Sequence, residues 1–114
     1  MHFDKTTLRA AYEFLRVAAF DRDPALPHGR FVRFHARKLS HHGYHDFVKG
    51  RHTIWVDTID TRNADLMLRI VAHEMIHLAR RDHVYNTDEE AHDTGFKQAA
   101  RLVEEKMGWS KNSV

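Results

Sequence analysis

The sequence predicts an α+β domain, a small antiparallel sheet of about three strands with three helices. Three observations carry this. Stretches early and late in the chain repeat apolar residues at three- and four-residue steps, the segment between them alternates apolar with polar residues, and 114 residues hold one modest core. Residues 1–114 are therefore expected to form a single domain.

The first helix is expected over residues 6–20, where Leu8, Ala11, Tyr12, Leu15, Ala18 and Ala19 recur at helical spacing and Asp4 or Thr6 serves as N-cap. Pro24, Pro27 and Gly29 then turn the chain. Strands follow at residues 30–36, where Val32, Phe34 and Ala36 alternate with Phe31, Arg33 and His35, and at residues 53–59, where Ile54 and Val56 alternate with Trp55 and Asp57. A weaker strand over 44–49 is bounded by the turn signals His42-Gly43 and Lys49-Gly50. A second helix is expected over 61–80, capped by Thr61 or Asn63, with a core stripe of Leu68, Val71, Ala72, Met75 and Leu78. A third runs from about Asp88 to Met107 and stops at Gly108; the tail from Ser110 is expected to fray.

Composition narrows the function. Hydrophobic residues are 42% and charged residues 30%, ordinary for a folded chain. No stretch approaches the roughly 18 apolar residues of a membrane span, and the N-terminus lacks a basic segment followed by an apolar run, so a cytoplasmic protein without a membrane partner is expected. The absence of cysteine excludes disulfides and thiolate metal sites, leaving nitrogen and oxygen as ligands. A net charge of +2 allows a polyanion such as DNA without indicating one.

Histidine is in excess at 11 residues, and its positions matter. His73 and His77 are four apart in a segment whose apolar stripe is independently helical, so both imidazoles leave one face and can share a metal ion; Glu74 sits beside them. In a zinc hydrolase such a carboxylate takes a proton from the attacking water and returns it to the leaving amine, while Zn2+ polarises the scissile carbonyl. Catalytic zinc usually takes a third protein ligand. His83 lies six residues beyond His77, a spacing that elsewhere relies on a glycine where this chain has Arg80; Glu89, Glu90 and His92 are the other candidates, and spacing does not choose among them.

The run Ile54-Trp55-Val56, the segment LMLRIVAHEMIH (residues 66–77) and the run His92-Asp93-Thr94-Gly95-Phe96 together resemble the SprT-like (Spartan-type) zinc metallopeptidases. The resemblance covers residues 53–107. It implies a minimal zincin-like domain in which His73, His77 and His92 hold Zn2+, Glu74 is the general base and Phe96 packs beneath the third ligand. It also implies a protein or peptide substrate, with DNA-bound proteins associated with the family. Asp93 departs from the glycine that normally follows the third histidine, and the cysteine-containing zinc ribbon of many members has no counterpart here. A peptide is expected to add as a strand along residues 53–59.

Two rival readings use nearly the same residues. The string from His73 to His83 resembles HGxLHLxGYDH, the metal site of endoribonucleases that mature ribosomal RNA, which would make His83 the third ligand and give Glu74 no role; both glycines of that pattern are missing. The other is a zinc-stabilised binding module without turnover. His41, His42, His45 and His52 are expected to be solvated loop histidines. Arg30, Arg33, Arg37, Lys38, Lys49 and Arg51 interleave with Phe31, Phe34, Tyr44 and Phe47, a mixture that single-stranded nucleic-acid binders use, but a polar sheet face opposite the core is the simpler expectation.

Overall fold

The structure is a computed structural model that describes residues 4–57 and 63–114. Helix α1 (Lys5–Ala18) begins where the Asp4 carboxylate accepts the Thr7 N–H at 3.0 Å, so Asp4 is the cap and Thr6 lies inside the helix. Leu8, Ala11, Tyr12 and Leu15 form its buried face. The Tyr12 ring is fully buried, and its hydroxyl donates to the Pro27 carbonyl at 2.5 Å, which satisfies the polar atom and ties the proline loop to the helix.

A 3-10 turn, Gly29–Phe31, leads into β1 (Val32–Arg37), followed by β2 (Gly43–Val48) and β3 (Arg51–Asp57), in the spatial order β1-β3-β2. The sheet is mixed, which corrects the antiparallel expectation: β1 runs parallel to β3, with Phe34 opposite Ile54, and β2 runs antiparallel to it, with His45 opposite Ile54. Burial explains the order. Thr53, Ile54, Val56 and Asp57 of β3 are buried, whereas β2 has no buried residue, so β3 takes the centre and β2 an edge. Residues 38–42 carry the chain past β3, while Lys49 and Gly50, both at positive φ (52° and 76°), make the tight turn of the β2–β3 hairpin. The substrate edge expected at residues 53–59 is thereby corrected as well, because β3 is internal; residues 58–59 lie outside those described.

Val32, Phe34, Ile54 and Val56 face the helices, where Phe34 packs edge-on against Tyr12 with ring centres 5.4 Å apart. On the other face His35, Trp55 and Tyr44 stack across the three strands at 4.6 and 5.4 Å, and the Arg37 guanidinium lies 5.0 Å from the Trp55 ring centre. Of the aromatics in the basic and aromatic stretch, Tyr44 joins this stack and Phe34 the core, while Phe31 and Phe47 are exposed.

Helix α2 (Ala64–Ala79) is capped by Asn63, which accepts the Leu66 N–H at 3.1 Å; the other candidate, Thr61, lies outside the described residues. Met67, Ile70, Val71, Ala72, Met75, Ile76 and Leu78 are buried, so α2 is the central helix. The single third helix expected from Asp88 to Met107 is two, α3 (Asp88–Ala91) and α4 (Thr94–Met107), which makes four helices in place of three among the described residues. The chain breaks at His92 and Asp93 because the Asp93 carboxylate accepts the Phe96 N–H at 3.0 Å and starts a new helix. Gly108, at φ 69°, closes α4 in the left-handed conformation that glycine adopts without strain. The tail does not fray: buried Glu104 accepts the Val114 N–H and the Arg101 guanidinium, each at 3.0 Å, and Arg101 also donates to Asn112 at 2.5 Å.

Candidate metal centre

Helix α2 presents His73 and His77 one turn apart, and the α3–α4 junction presents His92 opposite them. Nε2 of His92 lies 3.1 Å from Nε2 of His73 and 3.1 Å from Nε2 of His77, and the donor atoms of all three lie within 4.8 Å of one another. The Nδ1–H of His92 donates to the Asp88 carbonyl at 2.8 Å, which leaves the Nε2 lone pair facing the other two rings. Burial, with the neighbouring imidazoles adding to it, pushes His73 down to about 4 and His77 down to about 3. Both are thus neutral at neutral pH, as ligation requires. Three imidazoles fit a borderline ion such as zinc, and the group can hold a metal.

Two residues organise this cluster from below. Phe96 is buried, and its ring centre is 4.8 Å from that of each of the three histidines. Asp93 sits at φ −71°, needs no glycine conformation, and pairs with Arg80 at 2.9 Å and His83 at 3.3 Å. The hydrogen bond from Arg80, more than the Phe96 N–H, holds its carboxyl down at about 2. Gly95 leaves room for that arginine, since a Cβ there would stand 2.8 Å from Nη2 of Arg80.

The other third-ligand candidates lie elsewhere. His83 is 3.1 Å from the Glu90 carbonyl and in contact with Asp93, while the Glu90 carboxylate accepts the Asn86 N–H at 2.8 Å. Among the described residues, the three-member group that can hold a metal contains neither of them, nor Glu89.

The cluster opens into a groove of about 750 Å³ between β2 and α2, lined by Gly43, Tyr44, His45, Ile70 and Glu74 among others. Glu74 is 4% exposed, and burial pushes its carboxyl up to about 8. Gly43 had been noticed only as a turn signal. A Cβ at this position would lie 2.6 Å from the Trp55 carbonyl oxygen and 2.9 Å from Cγ2 of Ile70, with Oε2 of Glu74 at 3.5 Å, so glycine is what lets β2 lie this close to β3 and to α2 beside the carboxylate.

These shifts have opposite effects on the stability of the metal-free protein. As pH falls from 6.5 towards 4, the unfolded chain binds protons that native His73 and His77 refuse, so stability is lost. As pH rises from 4.5 to 8, the unfolded chain releases a proton that native Glu74 retains, so stability is lost in that direction. Urea midpoints of the metal-free protein are expected to peak near pH 6.5, where the histidine contribution is complete, and Glu74→Gln is expected to remove the alkaline decline and to steepen the loss below pH 6.5. A midpoint that stays flat from pH 6.5 to 8 in the unsubstituted protein would contradict this.

Comparison with known proteins adds one finding. The model of the SprT-like family matches residues 20–114, a span that takes in the three strands, α2 and the α3–α4 junction. No curated protein and no solved structure gave a match.

Proposed function

The chain belongs to the SprT-like family, and from that premise we propose that it is a zinc-dependent peptidase in which His73, His77 and His92 hold the ion and Glu74 is the general base. One observation carries the proposal: an open groove contains three convergent imidazoles and, on the helix that bears His73 and His77, a buried carboxylate of raised proton affinity. When bound, zinc would supply Lewis acidity that polarises the scissile carbonyl and makes water a better nucleophile near neutral pH.

The remaining work falls to the chain itself. Glu74 takes the proton of the attacking water and passes it to the leaving amine; burial alone holds its carboxyl up to about 8 in the metal-free chain, a bound dication would favour the ionised form that the first transfer needs, and the raised proton affinity suits the second. Strand β2, paired on one side with β3, offers its other edge to the groove, so an extended peptide would lie beside it as an added strand. We extend the proposal to DNA-bound proteins as substrates on the family likeness and the net charge of +2 alone. The endoribonuclease reading needs His83 among the ligands, whereas the His83 ring is engaged with Glu90 and Asp93.

Incubation of the zinc-loaded chain with an unfolded protein substrate tests the proposal. Fragments are expected to accumulate, to stop on chelation and to resume on adding zinc back. Intact protein substrate beside metal-dependent cleavage of RNA would overturn it.

A further inference from the structure

The β2–β3 hairpin brings two further histidines together. His45 stands opposite Ile54 and His52 opposite Phe47, which makes them diagonal neighbours on the hairpin face turned towards α2. Both had been expected in a solvated loop; both lie on strands and are half-buried. Nε2 of His45 is 2.8 Å from Nδ1 of His52, and the ring centres are 5.0 Å apart. Ring centres within the first cluster are spaced at 4.9 to 5.0 Å. The pair lines a second cavity of about 460 Å³ at the C-terminal end of α2, which Asp82 lines as well.

We propose that His45 and His52 form a second site for zinc or another ion that prefers imidazole, weaker than the first, with solvent completing the coordination. At 2.8 Å one ring must donate a proton to the other, and an ion that replaces this proton uses both lone pairs at once. Burial lowers the proton affinity of both rings, His45 to about 4, so neither carries a positive charge at neutral pH.

Two features make the site the weaker one. It has two protein nitrogens where the first cluster has three, and Arg80 and Arg81 line the same cavity. Those cations are tethered, Arg80 to Asp93 and Arg81 to the Ala25 and Leu78 carbonyls, which leaves the imidazoles accessible. Because His45 lines the first groove too, zinc in excess is expected to inhibit hydrolysis. That consequence rests on the peptidase reading; the site itself does not.

Equilibrium dialysis of the full chain against zinc, read as ions bound per chain, tests the proposal. The unsubstituted protein is expected to bind a tight ion and a weaker one. His52→Gln is expected to lose the weaker ion and keep the tight one, and His92→Ala the reverse. The proposal is overturned if no ion is lost on His52→Gln, whether because saturation stops at the one ion that His52→Gln retains or because a second ion survives in His52→Gln. If His52→Gln fails to fold by circular dichroism, His45→Asn provides the same comparison. Should the first cluster bind nothing, a weaker ion lost on His52→Gln would still stand, so the two readings fail separately.

Discussion

Glu74→Gln is expected to slow peptide hydrolysis by roughly 10²- to 10⁴-fold, the contribution usual for a general acid–base group, with zinc content unchanged. The substitution keeps the shape of a side chain that is 4% exposed and packed within 3.5 Å of where a Cβ of Gly43 would stand, so the groove should survive it. It removes the proton acceptor and nothing from the three-histidine group. The loss should fall on kcat, because the missing proton transfer belongs to the transition state and not to substrate binding. Full activity in this variant would show that Glu74 is not the base, and lost hydrolysis together with lost zinc would place it among the ligands.

Phe96→Ala is expected to produce the largest loss of stability among single substitutions near the site, about 3–5 kcal/mol, the usual range for truncating a buried aromatic ring. Phe96 is 3% exposed and touches all three histidines at once, with ring centres at 4.8 Å. The cavity it leaves would therefore let the imidazoles drift out of register as well as weaken the α2–α4 contact. Zinc affinity should fall with stability, and Phe96→Leu, which refills part of the volume, should recover part of both. Chemical denaturation with and without zinc measures the two together; a stable Phe96→Ala protein with undiminished zinc affinity would contradict this role.

The parts of the fold that depend on local periodicity were legible. The capped, apolar-striped segments became α1 and α2 nearly as expected, and the His73-Glu74-His77 spacing needed only that α2 be a helix. The partner of that pair was not legible from spacing, since His83, Glu89, Glu90 and His92 all follow within reach; likeness to a known family pointed to His92. The structure groups His92 with His73 and His77 because Asp93 stops one helix and starts another, turning the imidazole inwards. Asp93 carried that signal as an N-cap residue ahead of an apolar position, masked by helical periodicity on both sides.

Strand order was the other blind spot. Alternation tells which residues share a face but not which strand lies next to which, and β3 took the centre because its burial on both sides outweighs sequence adjacency. The difference bears on function, because it moves the proposed substrate edge from β3 to β2. It also hid Gly43, whose importance depends on β2 pressing against Ile70 and Glu74.

The account stands or falls on which histidines hold the metal. The most direct measurement is zinc content by mass spectrometry after exhaustive dialysis, so that only tightly held ions remain, for the unsubstituted protein beside His92→Ala and His83→Ala. Retention of one zinc in the unsubstituted protein and in His83→Ala, with loss in His92→Ala, is the predicted result. Loss in His83→Ala with retention in His92→Ala would contradict it and turn the search for a substrate towards RNA.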